Sequence, residues 1–273
     1  MPELPEVETV KRTLLELVEG KEIVEVQIGW PKIIKRPDDV EHFKMLVRGQ
    51  RMETIKRKGK FLIFHLSDYT LVSHLRMEGK YSLVTTNEPD KHTHVRFLFT
   101  DGTTLEYQDV RKFGTMHLFD KGDELIHAPL NKLGPEPILP DFTAEYLLGK
   151  IKTTSRSIKA VLLDQSITAG LGNIYVDEAL FRARIHPGKI ASQLDAEEAA
   201  RIVIHAKETL EDAIRAGGSS IRSYLNGNGD MGYFQQQLFV YGRKGAPCKV
   251  CSAPIEKNVT AGRGTHFCSH CQR

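Results

Sequence analysis

The spacing of apolar residues changes period along the chain. Val7, Val10, Leu14 and Leu17/Val18 recur at helical spacing and stop at Gly20, which predicts an amphipathic helix with Pro5 in its first turn. The period then drops to two. Val24, Val26, Ile28 and Trp30 alternate, and short runs follow at 61–64, 71–72, Tyr81/Leu83, Val95/Phe97/Phe99, Leu105/Tyr107 and Met116/Leu118. Asp101-Gly102 sits between two of these runs and reads as a tight hairpin turn. Residues 21–120 are therefore expected to form an antiparallel sandwich of about eight short strands, with the first helix packed on it.

Leu133 to Pro140 breaks both rhythms with three prolines and a glycine, the signature of a linker. Beyond it the pattern is helical, with helices expected over Thr143–Lys150, Ser157–Gln165, Asn173–Arg184 and Ala196–Ala216. Gly217-Gly218 stops the last of these. Residues 217–238 carry five glycines and read as a long loop. The expected fold class is α+β and multidomain: a β-sandwich domain at 1–131, a linker at 132–142, a helical domain at 143–238 and a cysteine-bearing finger at 239–273.

Composition changes this picture little. An apolar content of 40% and a charged content of 27% suit a globular protein. No apolar run approaches the ~18 residues of a membrane span, and nothing at the start resembles a signal peptide, so a cytoplasmic protein without membrane attachment is expected. The net charge of +3 is unevenly spread. Arg51, Lys56, Arg57, Lys58 and Lys60 cluster against Glu53 alone, and six Lys/Arg after Gly242 face only Glu256. Such patches suit a polyanion, although many basic runs are merely solvated faces.

All four cysteines lie in the last 26 residues, so no disulfide framework can staple the body of the chain. Cys248-x2-Cys251, sixteen residues, then Cys268-x2-Cys271 gives two knuckles at the spacing of tetrahedral zinc, with a redox or disulfide set as the alternative. Four thiolates leave no open coordination position, so one structural Zn2+ is expected. Thr260-Ala-Gly-Arg-Gly264 suits the turn of a β-hairpin between the knuckles, with Arg263 at its tip able to meet a phosphate. His266 and His270 are spare ligands at best and read more readily as surface residues.

The start of the chain, Met1-Pro2-Glu3-Leu4-Pro5-Glu6, carries the other candidate chemistry. Removal of Met1 leaves Pro2 as a secondary amine, with a reference pKa near ~8, able to attack an aldehyde-like sugar carbon and form an iminium. Glu3 and Glu6 follow within one turn as candidate acid and base. The plain alternative is that the prolines only start a helix and the acids only complement its dipole. Further candidates are weak when taken singly. Lys60 opens a strand after the basic run, and His74-Leu-Arg-Met-Glu-Gly79 and Arg111-Lys-Phe-Gly114 place charged, aromatic and apolar side chains in turns. A protein that opens duplex DNA needs such a wedge and a group for the orphaned base. Gln165 to Asn173 joins two helices through two glycines and could offer backbone N–H groups to a phosphate at Gly172 and Asn173.

Taken together, the stretches 1–10, 57–62, 73–81, 110–115, 162–181 and 261–273 resemble the bacterial formamidopyrimidine-DNA glycosylases of the helix–two-turn–helix class, and they run from end to end of the chain. The resemblance implies a bifunctional glycosylase and AP lyase that excises oxidised purines from damaged double-stranded DNA as a monomer. It implies that Pro2 is the nucleophile, Glu3 the acid/base and Glu6 a supporting carboxylate. Lys60, His74, Asn173, Tyr241 and Arg263 would grip phosphates, with Lys60 and Arg263 also serving the elimination steps. Met77, Arg111 and Phe113 would enter the duplex. Glu78 and the Ser219–Tyr224 loop, including Ser219, Arg222 and Tyr224, would line the lesion pocket, and His92 would add a DNA contact. The resemblance also makes the helical domain a helix–two-turn–helix unit. Endonuclease VIII, the pyrimidine-lesion relative, is a rival, and Leu4-Pro5, Met77 and Arg111 with Phe113 favour the purine branch. Tautomerases use an N-terminal proline as a base but are much smaller chains. A non-catalytic zinc-finger DNA binder would need neither Pro2 nor Glu3.

Overall fold

The computed structural model describes residues 1–85, 88–219 and 232–273. Two compact units emerge, one built on Met1–Asn131 and the other on Lys132–Ser219 with Tyr233–Arg273.

The first unit begins with helix α1 (Leu4–Val18), which buries Leu4, Val7, Val10, Leu14 and Val18. Each such side chain contributes about 1.5–3 kcal/mol as an upper bound. The helix stops before Gly20, whose φ of 78° suits glycine and whose N–H donates to Met52 O at 2.7 Å. Among the described residues nine strands follow: β1 (Ile23–Ile28), β2 (Ile34–Arg36), β3 (Met52–Lys58), β4 (Phe61–Leu66), β5 (Tyr69–His74), β6 (Lys80–Val84), β7 (Thr93–Phe99), β8 (Thr104–Gln108) and β9 (Thr115–Asp120). They form a four-stranded sheet in the order β1-β7-β8-β6 and a five-stranded sheet in the order β2-β9-β5-β4-β3. One core joins them. It takes Phe97, Leu105 and Tyr107 from the first sheet, Leu62, Phe64 and Met116 from the second, and Val7, Val10 and Leu14 from α1. The expected sandwich is therefore present, with two differences. β2 runs parallel to β9, so the sheets are not wholly antiparallel. A further helix, α2 (Val40–Val47), starts where Asp39 accepts the Glu41 and His42 N–H groups.

In the second unit, α3 (Ala144–Ile151), α4 (Ile158–Leu162), α5 (Asn173–Ala183) and α6 (Ala196–Arg215) occupy the four expected helical stretches. α4 is shorter than its pattern suggests. The chain turns at Asp164, whose Oδ1 accepts from the Ser166 N–H and hydroxyl. The Gln165 side chain then spans the connection: its amide donates to Leu163 O and Leu171 O, and its oxygen accepts the Gly170 N–H. The proline-rich stretch expected as a linker is tied into this unit. Gly134 N–H donates to Gln165 O at 2.9 Å, Ala169 N–H donates to Pro135 O at 3.0 Å, and a Cβ on Gly134 would come within 2.5 Å of Ile167 O. The chain ends in the hairpin β10 (Glu256–Thr260) and β11 (Arg263–Phe267), turned by Ala261 and Gly262 at positive φ. In the stretch expected as a long loop, Ser219 pairs with Tyr233 and Phe234–Gln236 make a 3-10 turn. Both lie at its edges, where backbone donors meet acceptors on neighbouring residues.

Candidate functional site

In the first unit the candidate groups sit around α1 and two loops. Pro2 is buried and Glu3 is 4% exposed, whereas Met1 is half exposed. Glu3 is the N-cap of α1 and forms a capping box with Glu6, and the Glu3 N–H donates to Glu6 Oε2 at 2.8 Å. Glu6 is thus engaged by the backbone and fixes where Glu3 leaves the helix start. The next acid, Glu8, is held below the usual carboxylate range. Burial works against this, but Lys11, Arg57 and Arg12 outweigh it. Arg57 Nε donates to Glu8 Oε2 at 3.1 Å and its side chain is nearly buried. The basic run 51–60 is therefore not one open patch: Arg57 ties β3 to α1, and Arg51 pairs with Glu22 at 3.6 Å.

Lys60 lies in the two-residue turn between β3 and β4, where Gly59 has a φ of 59°, and it is 5% exposed. His74, at the end of β5, packs edge-on against Phe61 at 4.5 Å. The Arg76 N–H donates to His74 Nδ1 at 2.9 Å, so the ring is neutral and carries its proton on Nε2. Burial, then the charges of Arg76 and Lys60, bring His74 down to about 3. It is a neutral hydrogen-bond donor at any physiological pH.

Met77 is 41% and Phe113 51% exposed, unusual for large apolar side chains. Arg111 is also exposed and stacks over the Phe113 ring at 4.8 Å. Exposed Glu78 and half-buried His92 line one cavity of about 280 Å³, together with Lys80, Asp90 and Gln108. The sequence reading missed Asp109, whose buried carboxylate accepts the N–H groups of Arg111, Phe113 and Gly114 at 3.0, 2.8 and 2.8 Å. An aspartate ahead of a turn is the signal that could have found it.

In the second unit, α5 begins at Asn173 with Gly172 as its N-cap and no side-chain cap. Asn173 Nδ2 donates to Gly264 O at 2.9 Å, which ties the helix start to the hairpin bearing exposed Arg263. Two consecutive acids of α5, also missed in the sequence, anchor the C-terminal segment. Asp177 accepts the His266 N–H at 2.8 Å. Glu178, fully buried and with its pKa raised mainly by that burial, accepts the N–H groups of Phe239, Val240 and Tyr241. Tyr241 is thereby positioned through its backbone and packs edge-on against His266 at 5.0 Å. His266 is buried, not a surface residue as expected, because Asp177 and Tyr241 enclose it. Ser219 is buried beside the Tyr175 hydroxyl at 3.5 Å. Arg222 and Tyr224 lie outside the described residues.

The four cysteine sulfurs lie within 4.8 Å of one another, with Cys248–Cys271 at 3.9 Å and Cys251–Cys268 at 3.5 Å. A tetrahedral ZnS4 centre with Zn–S of ~2.3 Å has S···S edges of about 3.8 Å, so the donor set fits one structural zinc. Backbone N–H groups of Cys251 and Val250 outweigh burial and bring the Cys248 thiol down to about 7, whereas burial and the neighbouring sulfurs push Cys271 up to about 12. A dication held by these four sulfurs would supply the charge that lets all four ionise.

Comparison with known proteins matches three family models along the chain: the formamidopyrimidine-DNA glycosylase N-terminal domain over residues 1–116, the formamidopyrimidine-DNA glycosylase H2TH domain over 133–224, and a zinc finger found in FPG and IleRS over 245–273. A formamidopyrimidine-DNA glycosylase of Halalkalibacterium halodurans is 61% identical over the whole of both chains, and one of Bacillus licheniformis is 58% identical over the same extent. Among solved structures, a Lactococcus lactis FPG mutant in complex with Fapy-dG-containing DNA superposes with a TM-score of 0.93 at 43% identity over all of both chains. A Lactococcus lactis Fpg bound to abasic-site DNA gives 0.92 at 43% identity, with 99% of each chain covered.

Proposed function

Because the chain belongs to the formamidopyrimidine-DNA glycosylase family, we propose that it excises oxidised purines, 8-oxoguanine and formamidopyrimidines, from duplex DNA and then cuts the strand by β,δ-elimination. The observation that carries this reading is the buried Pro2–Glu3 pair at the start of α1, with Glu6 locked onto the Glu3 N–H. Exposed Met1 is removed, and the Pro2 nitrogen becomes a secondary amine. Its lone pair attacks C1′ as the bond from C1′ to the base breaks, and the base leaves with that electron pair and takes up the proton that the amine sheds. Glu3 gives a proton to the sugar ring oxygen, the ring opens, and C1′ and Pro2 share an iminium. The iminium acidifies the 2′ hydrogen. Loss of that proton expels the 3′ phosphate, a second elimination expels the 5′ phosphate, and hydrolysis frees Pro2.

Lys60, His74, Asn173, Tyr241 and Arg263 grip the phosphates, with Lys60 and Arg263 also assisting the eliminations. His74 does so as a neutral Nε2–H donor. Met77, Arg111 and Phe113 fill the space left by the extruded nucleotide, Arg111 facing the orphaned cytosine, and their exposure supports that role. Glu78, Ser219, Arg222 and Tyr224 read the lesion, and His92 adds a DNA contact. The domain boundaries 1–131, 132–142, 143–238 and 239–273 belong to the same reading. So does a cytoplasmic monomer. Among the described residues no helix is long and apolar enough to cross a membrane.

Borohydride trapping on an 8-oxoguanine duplex tests this, using protein shown by mass spectrometry to lack Met1. A covalent adduct is expected, lost in Pro2→Gly. An active preparation that gives no adduct, or an adduct that survives Pro2→Gly, overturns the mechanism.

A further inference from the structure

The loops carrying Met77 and Arg111–Phe113 meet at one buried hydroxyl. Tyr107 is fully buried in β8, edge-on to Tyr81, and its Oη sits where the two loops come together. A Cβ built on Gly79 would lie 2.2 Å from that oxygen, and one on Gly114 would lie 1.8 Å from it. Each loop therefore presses bare backbone onto the tyrosine. Gly79 N–H closes the first turn onto Leu75 O at 2.9 Å. In the second, Gly114 N–H donates to Asp109 Oδ2, which also accepts from Phe113 N–H and lies 3.5 Å from the Tyr107 hydroxyl. Lys112, between Arg111 and Phe113, takes a φ of 58°, and its ammonium sits 4.3 Å from the ring centre of Trp30, the chain's single tryptophan. The loop is thus pinned at its base and at its midpoint, which leaves Arg111 and Phe113 outward and stacked on each other.

We propose that Tyr107, Asp109 and the Trp30–Lys112 clasp are positioning residues that hold the two loops as one preformed wedge, so that duplex DNA meets side chains already in place. This rests on the reading above, in which Met77, Arg111 and Phe113 enter the duplex. A wedge ordered in advance loses less conformational freedom at the moment of extrusion than one ordered by the DNA. Asparagine at 109 would set an NH2 group against one or more of the three converging N–H donors and so release the loop.

The test compares two substrates. Single-turnover excision from an 8-oxoguanine duplex requires the wedge; borohydride trapping on a single-stranded oligonucleotide bearing an aldehydic abasic site requires only the Pro2 chemistry. Asp109→Asn is expected to slow duplex excision by tenfold or more, and Tyr107→Phe and Lys112→Ala by about threefold, with single-strand trapping within twofold of wild type. Lys112 is exposed, so its variant keeps the test open should the buried ones fold poorly. Trp30 emission adds a second readout: duplex should leave it unchanged in the wild type and shift it in Asp109→Asn. Variants that match the wild type on duplex, or that fall equally on both substrates, overturn the brace. So does a wild-type emission shift as large as the variant's. A wild type that traps neither substrate refutes the underlying reading instead.

Discussion

Lys159 Nζ lies 2.6 Å from Asp177 Oδ1, and neither side chain is exposed to solvent. The same two groups hold the last hairpin: Lys159 also donates to Gly264 O at 3.3 Å, and Asp177 Oδ2 takes the His266 N–H. Removing one member strands a buried charge, which typically costs ~3–5 kcal/mol. Lys159→Met should lose stability on that scale in urea unfolding. Lys159→Met with Asp177→Asn should lose clearly less than the sum of the single changes, because asparagine is neutral and still accepts the His266 N–H. Additive losses would show that the pair is not coupled.

Gly114→Ala is expected to destabilise by about 1–3 kcal/mol, since its Cβ would meet Tyr107 Oη at 1.8 Å and Cζ at 2.7 Å in a tyrosine that has no room to retreat. Gly49→Ala meets nothing within 4 Å and is strained only by its φ of 80°. A thermal-melt comparison of the two separates collision from backbone strain; equal losses would mean that Tyr107 yields freely.

How far the chain could be read in advance follows from where apolar side chains keep a regular beat. α1, α3, α5, α6 and most strands do so. β3 does not, because a bulge between Met52 and Thr54 puts Met52 and Ile55, three residues apart, into the same core, and Lys56, Arg57 and Lys58 mask what remains. β2 has three residues and borrows its stability from β9. Candidate groups stand out in the sequence where they are local: Pro2 with Glu3, the two CxxC knuckles, the 111–113 and 74–79 turns. The groups that hold those pieces in place do not. Lys159 and Asp177 are eighteen positions apart, Glu178 caps a segment 61 to 63 residues downstream, and Tyr107 sits in an ordinary strand pattern. Such pairings exist only once the chain has folded.

Acid should weaken the protein through His74. Its folded pKa of about 3 lies below the ~6.5 of an unfolded histidine. Above pH 6.5 both states are neutral and the contribution is fully present. Below it the unfolded state takes up a proton that the folded state refuses, so stability falls by about 1.4 kcal/mol per pH unit until pH 3. His117, brought down to about 4 mainly by burial, adds a slope of the same sign. Urea unfolding of wild type and His74→Gln at pH 7, 5.5 and 4.5 isolates the effect from protonation of the zinc thiolates, which both proteins share. Parallel stability curves would contradict the neutral, buried His74.

Zinc removal should disable DNA binding without unfolding the first unit. Two of the cysteines lie inside the finger: Cys248 and Cys268 share a small core with Phe181, Val240 and Ile255. Four unscreened thiols cannot all ionise, so the metal-free finger loosens and Arg263 loses its seat. Chelated protein, or Cys268→Ser, is expected to bind lesion duplex at least tenfold more weakly, with zinc restoring the chelated sample but not the variant. Undiminished affinity in a sample shown by metal analysis to be zinc-free would rule this out.

Glu3→Gln should separate chemistry from binding. Glutamine keeps the shape of Glu3 and can still accept a backbone N–H as an N-cap, so α1 and the Glu6 contact at 2.8 Å should survive. What it lacks is a proton of carboxylic-acid strength to give to the sugar ring oxygen. The substitution replaces none of the residues read as gripping phosphates: Lys60 lies in the turn between β3 and β4, His74 at the end of β5, and Asn173 and Arg263 in the other unit. Base excision should therefore fall below detection while the dissociation constant for lesion duplex stays within tenfold of wild type. Because Pro2 is untouched, borohydride trapping on a ready-made aldehydic abasic site should persist at a reduced rate. A loss of binding as large as the loss of excision would assign Glu3 to the DNA grip and leave the proton transfer without a donor.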